Sequence, residues 1–530
     1  VSCDEANLYL YVTAGLYHGG ELLDTLHATG TAFSCPNPRW YEWVKTNIKL
    51  RDLPRSTRIC FTLWAGRKEG IISEKDQPLA WVNCHLFDYK HELRTGPVSL
   101  NMWPDDKANP IGTCVQSPET TSPVLFVEFD RFAATVVFPT EGLHVETYPA
   151  PSAITPQESQ RLKLIANADP LYPMTPADKQ LVWKYREQCK VWPRVSNTIP
   201  PPSYIWFAHS DFQCLPKFLS SVPKTDRNAV QESYRLLDAW APMAPLDALE
   251  LLDSKFPDKR IREYAVARLE ELTNEEISDY SLELVQVLKY EPYHDSALAR
   301  FLLRHALRHR HLGHLFFWLL KSEIHVGEIS ERYGLLMEAY LRGCGSHLQE
   351  LKTQDEKQKK FIHTANLIKN YKDSERLAIL RTELTKLNAN FPNKLALPLN
   401  PRLEVNGLNV DKCKYMDSKK LPLWLVFKNA DTKGSDPYVI FKSGDDLRQD
   451  MLTLQMIRIM DKLWKREGYD LQMSPYGCLA TGCDVGMIEV VLNAQTTAAI
   501  TKADGGVTAA FKETPLAKWL QTHNSSKPDH

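Results

Sequence analysis

The hydrophobic rhythm of the chain changes twice. From residue 6 to about 138, short aromatic and β-branched runs alternate in period two between Gly, Pro and Asp turns. The clearest are 8–12 (LYLYV), 59–64 (ICFTLW), 80–83 (AWVN) and 124–129 (VLFVEF). Strand side chains point alternately to opposite faces, so a succession of such runs predicts an all-β sandwich. Pro139, Pro149, Pro151 and Pro156 then predict a linker. Beyond it, Ile261, Tyr264, Ala265, Leu269 and Leu272 repeat at helical spacing, and the same period recurs over 280–288 and 298–320. Breakers at Pro257, Pro292 and Gly313 divide this region into short helices that cannot bury their apolar faces alone. Stacking in antiparallel pairs, as in an α-solenoid, is the expected architecture.

A third rhythm begins near residue 406. Residues 423–428 and 438–442 predict two strands joined by a Lys-Gly-Ser-Asp turn. A helix over 447–466 follows, with Met451, Leu454, Ile457 and Leu463 facing inward, and then strands over 478–481 and 487–492. The charged stretch 352–360 (KTQDEKQKK) reads as a solvated helix face. The expected division is a sandwich at 1–140, a linker at 141–165, a helical domain at 166–345, a helix-rich connection at 346–405 and an α+β lobe at 406–530. One segment fits none of this. Residues 198–214 carry three consecutive prolines, then Tyr204, Trp206, Phe207 and Phe212. They read as an insert or an artefact of gene prediction, with a partner-docking loop as the alternative.

Composition narrows the class. With 43% hydrophobic and 24% charged residues over 530 positions, the chain is globular and long enough for several domains. Its 64 basic and 65 acidic residues nearly cancel, so no global field draws it to nucleic acid. The eleven cysteines form no CxxC pair and no repeating interval, which points to reduced thiols. There is no apolar run of membrane-spanning length, so a cytoplasmic protein, recruited peripherally to membrane, is expected. The first residue, Val1, suggests a start within a longer protein.

One segment carries chemistry. Lys442 closes a strand, and 444–450 (GDDLRQD) opens the following helix. A strand lysine beside a helix that offers a carboxylate is how kinase folds hold nucleotide phosphates, and Asp450 is placed to be that acid. Asp445 or Asp446 is expected to cap the helix. The strand 487–491 (MIEVV) suits a hinge whose backbone binds an adenine edge.

The runs 439–456 (VIFKSGDDLRQDMLTLQM) and 475–482 (PYGCLATG) resemble the class I phosphatidylinositol 3-kinases. So do 286–291 (QVLKYE) and 313–318 (GHLFFW), which resemble that family's helical domain, and 14–19 (AGLYHG) and 51–55 (RDLPR), which resemble its C2 domain. The resemblance implies a C2 domain, a helical domain and a kinase N-lobe. It makes Lys442 the phosphate lysine, places Asp450 and Tyr476 in the inner ATP pocket, and assigns the hinge to Ile488, Glu489, Val490 and Val491. Met416 and Trp424 become the roof over the adenine, and Ser418, in 416–420 (MDSKK), a phosphate contact whose basic run is interrupted by Leu421.

The family's Gly-Asp-Arg-His-x-x-Asn and Asp-Phe-Gly loops do not occur in these 530 residues. No catalytic or metal-binding residue is therefore expected here. ATP with Mg²⁺ is the implied cofactor, its metal ligands belonging to a second lobe, and the fragment alone is expected to be inactive with an apolar lobe face exposed. A protein-kinase fragment is disfavoured because no Gly-x-Gly-x-x-Gly loop precedes Lys442. The alternative is a non-catalytic scaffold for a regulatory subunit bearing SH2 domains, although 173–176 (PMTP) lacks the acidic pair with which some relatives meet that partner. Asp24, Asp52, Asp88, Asp105 and Asp106 are scattered, so calcium-independent packing or membrane contact is expected of the C2 domain. Lys45, Lys49, Arg51, Arg55, Arg58, Arg67 and Lys68 are candidates for a basic surface toward anionic inositol lipid, with an ordinary solvated sandwich face as the alternative.

Overall fold

The structure is a computed structural model that describes residues 8–33, 35–66, 70, 73, 75–104, 107–139, 153–169, 173–191, 214–503 and 514–524. It divides into two compact units, Val1–Gln349 and Glu350–His530.

The first unit opens with nine strands among the described residues: β1 (Tyr9–His18), β2 (Glu21–Leu22), β3 (His27–Ala28), β4 (Ala32–Phe33), β5 (Arg58–Gly66), β6 (Gln77–His85), β7 (Gly96–Asn101), β8 (Trp103–Pro104) and β9 (Val124–Phe129). One antiparallel sheet runs β2-β1-β5-β6-β8, with β3 and β4 also paired to β1, and β7-β9 form a second sheet. The period-two pattern decides the packing. Leu125, Val127 and Phe129 of β9 pack on a core that includes Val12, Ile59, Phe61 and Val82, while Val124 and Phe126 stay exposed. Between β1 and β2, Gly19 and Gly20 both adopt positive φ (61° and 80°), the two-residue turn that matches strand twist. Gly19 also lies against the backbone of Lys255, where a Cβ would stand 2.8 Å from the carbonyl carbon.

Helices follow: α1 (Pro156–Asn167), α2 (Pro176–Lys184), α3 (Arg186–Val191), α4 (Leu215–Ser221), α5 (Arg227–Ala239), α6 (Lys259–Leu269), α7 (Asn274–Asp279), α8 (Ser281–Gln286), α9 (Ala297–Arg308), α10 (Arg310–Glu323) and α11 (Gly327–Gly343). α1 lies largely inside the stretch expected to be linker. Thr155 and Glu158 form a reciprocal capping box with Pro156 in the first turn, and the proline there starts a helix instead of spacing two domains. Thr175 and Asp178 repeat the device at α2, so residues 173–176 lead into a helix start. Gly313 is not a breaker. The break falls at His309, and Gly313 sits inside α10, where a Cβ would meet the Ala306 carbonyl at 2.6 Å. α10 packs on α8, α9 and α11, as a stacked helical array requires.

One expected feature of this unit changes. Arg55 and Arg58 are 8% and 7% exposed and do not join Lys45, Lys49 and Arg51 on the surface. They turn toward the helices, where Ser56 Oγ donates to the Pro257 carbonyl (2.8 Å) and Tyr293 Oη to the Phe87 carbonyl (2.7 Å). Asp24, Asp52 and Asp88 are each committed locally, to Asn47 and Thr46, to Arg51, and to the amides of Lys90 and Glu92. Arg67, Lys68, Asp105, Asp106 and the aromatic insert at 198–213 lie outside the described residues.

The second unit takes in most of α12 (His347–Lys369), then α13 (Asp373–Ala389), β10 (Leu395–Leu397), β11 (Asn400–Leu408), β12 (Lys414–Tyr415), β13 (Leu423–Asn429), β14 (Tyr438–Ser443), α14 (Arg448–Arg466), β15 (Cys478–Gly482), β16 (Val485–Glu489), α15 (Thr497–Ala503) and α16 (Thr514–His523). Its antiparallel sheet runs β10-β11-β13-β14-β16-β15, with β12 on β13. Residues 350–405 therefore belong to the lobe's own fold, and the charged stretch in α12 is not simply a solvated face. Gln354, Lys357 and Gln358 are buried, and their side chains donate to the carbonyls of Ala396 (2.8 Å), Asn390 (2.6 Å) and Thr481 (3.1 Å). Long stems let these residues line apolar surface while their polar ends satisfy buried carbonyls. On α14, Met451 and Leu454 are buried, but Leu463 is 51% exposed, in line with exposed Leu452, Met456 and Met460.

Candidate functional site

The lobe sheet has two unlike faces. Residues directly opposite in antiparallel strands share a face. Val439, Phe441, Leu423, Leu425 and Met487 are buried, and Phe361 of α12 packs on Phe441 and Phe427. The other face carries half-buried Tyr438, Ile440 and Lys442 on β14, with Trp424 opposite Ile440, Ile488 opposite Ile440, Cys478 opposite Ile488, and Gly486 opposite Lys442. Sheet pairing thus brings Trp424, Lys442 and Ile488 to one surface, although 64 residues separate the first from the last in sequence. The Trp424 ring meets Tyr438 edge-on at 6.3 Å.

The acid beside Lys442 is Asp445, not Asp450. Lys442 Nζ lies 2.9 Å from Asp445 Oδ2, with side chains 25% and 44% exposed. Gly444 causes this. At φ 96° it turns the chain sharply, and the Asp484 carbonyl accepts the amides of both Gly444 (2.7 Å) and Asp445 (3.0 Å), folding residue 445 back toward the strand end. Asp446 accepts the Arg448 amide (3.0 Å) at the start of α14. Asp450 stands in the first turn of α14 and makes no hydrogen bond to Lys442 among the described residues, yet both charges act on the Cys478 thiol, which burial pushes up to about 12, with Asp450 raising it and Lys442 lowering it.

The loop between β12 and β13 holds Met416 and Ser418. Met416 is half-buried and its amide donates to the Pro422 carbonyl (2.8 Å), while Ser418 is exposed. Leu421 adopts φ 47° and is buried in the lobe core, so the residue that interrupts the basic run anchors the loop. At the other end of the face, Glu489 contributes backbone and side chain differently. Its carboxylate accepts the Gly477 amide (2.7 Å), and its amide donates to the Gly477 carbonyl (2.8 Å). The Val490 amide donates to the Tyr438 carbonyl (3.1 Å). The next amide, that of exposed Val491, makes no hydrogen bond among the described residues. Tyr476 lies partly exposed just before β15.

Sequence reading missed two cations here. The ammoniums of Lys420 and Lys369 both flank Gly444, and Lys369 Nζ also donates to the Ser443 carbonyl (3.2 Å). Burial and the charge of Lys420 hold the Lys369 pKa below its ordinary value. Lys420 could have been noticed from the 416–420 run; Lys369, at the end of α12, gives no local signal. Among the described residues, this face gathers no set of three metal-donor side chains.

Three family models match consecutive stretches: phosphoinositide 3-kinase C2 at 6–125, the phosphoinositide 3-kinase family accessory (PIK) domain at 151–353, and phosphatidylinositol 3- and 4-kinase at 438–528. In Dictyostelium discoideum the chain is 43% identical to phosphatidylinositol 3-kinase 1 over 509 residues, covering 93% of this chain and 31% of that protein. It is 40% identical to phosphatidylinositol 3-kinase 2 over 576 residues (98% and 30%) and 35% identical to phosphatidylinositol 3-kinase 3 over 539 (99% and 30%). The chain spans about a third of the length of these curated relatives. A β sandwich, a helical array and a kinase-type lobe, each matched by its own model in the same order, place this chain in the phosphoinositide 3-kinase family.

Proposed function

We propose that the second unit is the nucleotide-binding lobe of an ATP-dependent kinase that phosphorylates the 3-hydroxyl of inositol lipids, held at the membrane peripherally through the first unit. The observation that carries this reading is the asymmetry of the lobe sheet. One face is sealed by α12, and the other leaves Trp424, Ile440, Lys442 and Ile488 half-buried on one surface, followed by the Val491 amide, which makes no hydrogen bond among the described residues. That surface suits a flat, apolar, hydrogen-bonding base at one end and phosphates at the other.

In this reading Trp424, Met416 and Ile488 cover the base, and the backbone at Glu489, Val490 and Val491 reads its edge. Lys442 and the Ser418 loop meet phosphate charge, with Lys369 and Lys420 adding to it. When bound with Mg²⁺, the nucleotide supplies the transferable phosphoryl group; the chain's own residues position it. The names of the relatives favour this enzyme part over a non-catalytic scaffold. No helix among the described residues is long and apolar enough to cross a membrane.

The test is equilibrium binding of a fluorescent ATP analogue to the 530-residue chain. Lys442→Ala and Trp424→Ala are each expected to weaken binding about tenfold, the scale of one charge-assisted contact or one stacked ring. Unchanged affinity in both variants would count decisively against the assignment.

A further inference from the structure

A cavity of about 500 Å³ lies within the first unit, between the end of β6 with its following loop and the start of α9. Its walls carry six cationic side chains (Arg55, Arg58, Lys259, Arg262, Lys289 and Arg332) against three carboxylates. All three carboxylates are occupied: Glu291 by Arg262, in a pair 3% exposed on each side, Glu263 by Lys259, and Asp295 by Arg300.

The remaining guanidiniums are held unusually. Arg58 donates to the carbonyl of Gly112 (2.7 Å), and Arg332 to those of Tyr293 (2.7 Å) and Glu291 (2.6 Å). Arg55 donates to His91 Nδ1 (2.9 Å), the Asp88 carbonyl (2.8 Å) and the Tyr293 hydroxyl, while lying over the Tyr293 ring. None of the three forms an ion pair among the described residues. Carbonyl dipoles orient a guanidinium but leave its net charge uncancelled, and a buried charge without a counter-ion is costly. The neighbouring histidines bring no relief. His85 Nε2 donates to the Pro292 carbonyl (2.9 Å), which leaves Nδ1 without a proton or, among the described residues, a partner, and burial, helped by Arg58, keeps the ring neutral. The N-terminus of α9, at Ser296 and Ala297, also lines the space, and its first amides add positive potential.

We infer that this cavity is a binding site for a compact polyanion carrying two or more phosphate groups. Fixed guanidinium forks suit phosphate oxygens, and the volume exceeds the need of a single inorganic phosphate. The excess of cations over carboxylates calls for a multiply charged ligand. The same chemistry is offered by a soluble polyphosphate ester and by a phosphorylated lipid headgroup. The site lies within the first unit, and its assignment does not depend on the lobe face described above.

The experiment is isothermal titration of the intact chain with inositol hexakisphosphate and with pyrophosphate. In parallel, flotation uses vesicles of phosphatidylcholine with and without a doubly phosphorylated phosphatidylinositol. Saturable binding in the soluble arm points to a free polyphosphate; binding confined to the vesicle arm points to a headgroup. Arg55→Gln with Arg332→Gln is expected to weaken whichever binding is seen at least about tenfold, and the rim changes Lys259→Gln and Lys289→Gln about threefold each, with a shallower salt dependence. The rim variants keep the fold intact should the arginine pair unfold it. Lys442→Ala removes the lobe's share of any phosphate binding, and the binding assigned to the cavity must persist in it. The inference fails if neither arm binds, if the rim variants bind as the parent does, or if Lys442→Ala abolishes the signal.

Discussion

The two units handle positive charge in opposite ways. In the lobe, Lys442 sits at the edge of a half-open face and meets Asp445 in a pair that water still reaches. In the first unit, Arg262 meets Glu291 with both side chains 3% exposed, and Arg55 and Arg58 are almost as deep. The same kind of contact therefore carries different weight. An exposed pair is screened and exchangeable, whereas a buried pair becomes structural because either partner alone would be stranded. A lysine free to trade one anion for another suits ligand exchange, and the buried Arg262–Glu291 pair suits a fixed interface between sandwich and helices.

The sharpest way to break this contrast is to strand one buried charge. Arg262→Met leaves Glu291 buried without its partner and removes bonds to the carbonyls of Asp253 (3.2 Å) and Phe256 (3.1 Å). Breaking a buried pair from one side costs about 3–5 kcal/mol. Hydrogen exchange read by peptide should show the first unit losing protection while the second keeps it. Adding Glu291→Leu should recover much of the loss, since a pair replaced by apolar side chains is often neutral. Equal loss in both units would erase the distinction.

Acid probes the same burial. His18 and His85 are held neutral, with pKa values lowered to about 3 by burial foremost, helped by Lys224 and Arg58 at His18 and by Arg58, Arg55 and Arg332 at His85. The unfolded chain protonates them near 6.5, so between pH 6.5 and 3 the unfolded state binds more protons. Stability of the first unit is full above pH 6.5 and falls as pH drops toward 3, by an amount on the order of a few kcal/mol. Urea midpoints measured at neutral and at acid pH should show this slope, and His18→Asn with His85→Asn should flatten it. A midpoint that does not move with pH would mean these rings already meet solvent.

What could be read in the sequence follows the same division. Strands β13 to β16 and helix α14 lie within a residue or two of expectation, apart from the last strand's far end, because period-two and helical spacing are local properties. The row of Trp424, Lys442 and Ile488 was also accessible, through motifs that occupy single runs. Long-range packing was not. Arg55 and Arg58 read as surface because arginine usually is, and only Pro257, Pro292 and Tyr293, some two hundred positions later, reveal the wall that covers their strand and loop. Asp450 was chosen over Asp445 because helical spacing carries no record of the turn that Gly444 makes. Gln354, Lys357 and Gln358 read as solvated because composition shows charge but not the carbonyls those side chains reach.

Those α12 contacts offer a milder test, now inside the lobe. Gln358→Leu keeps the stem and deletes the bond to the Thr481 carbonyl, leaving a buried acceptor unsatisfied at about 1–3 kcal/mol. The loss should appear in exchange of β15 and leave the first unit untouched. If α12 were a solvated helix face, the substitution would be neutral.

The smallest expected effect separates the two carboxylates near Lys442. The Lys442 and Asp445 side chains are 25% and 44% exposed, so Asp445→Asn should change unfolding stability by about 0–1 kcal/mol. Its consequence should lie in ligand affinity. Removing the carboxylate that occupies Lys442 in the free lobe removes a competitor for the ammonium, so nucleotide affinity in Asp445→Asn should hold or rise slightly, most visibly at low salt. Asp450→Asn should behave differently, because that carboxylate, in the first turn of α14, acts on the Cys478 thiol and makes no hydrogen bond to Lys442 among the described residues. If Asp450 takes over the ammonium once phosphates displace Asp445, its loss weakens binding while the free lobe keeps its stability. Equal affinities in the two variants would leave the exchange of partners around Lys442 without support, and the lysine would then be fixed as firmly as the arginines of the first unit.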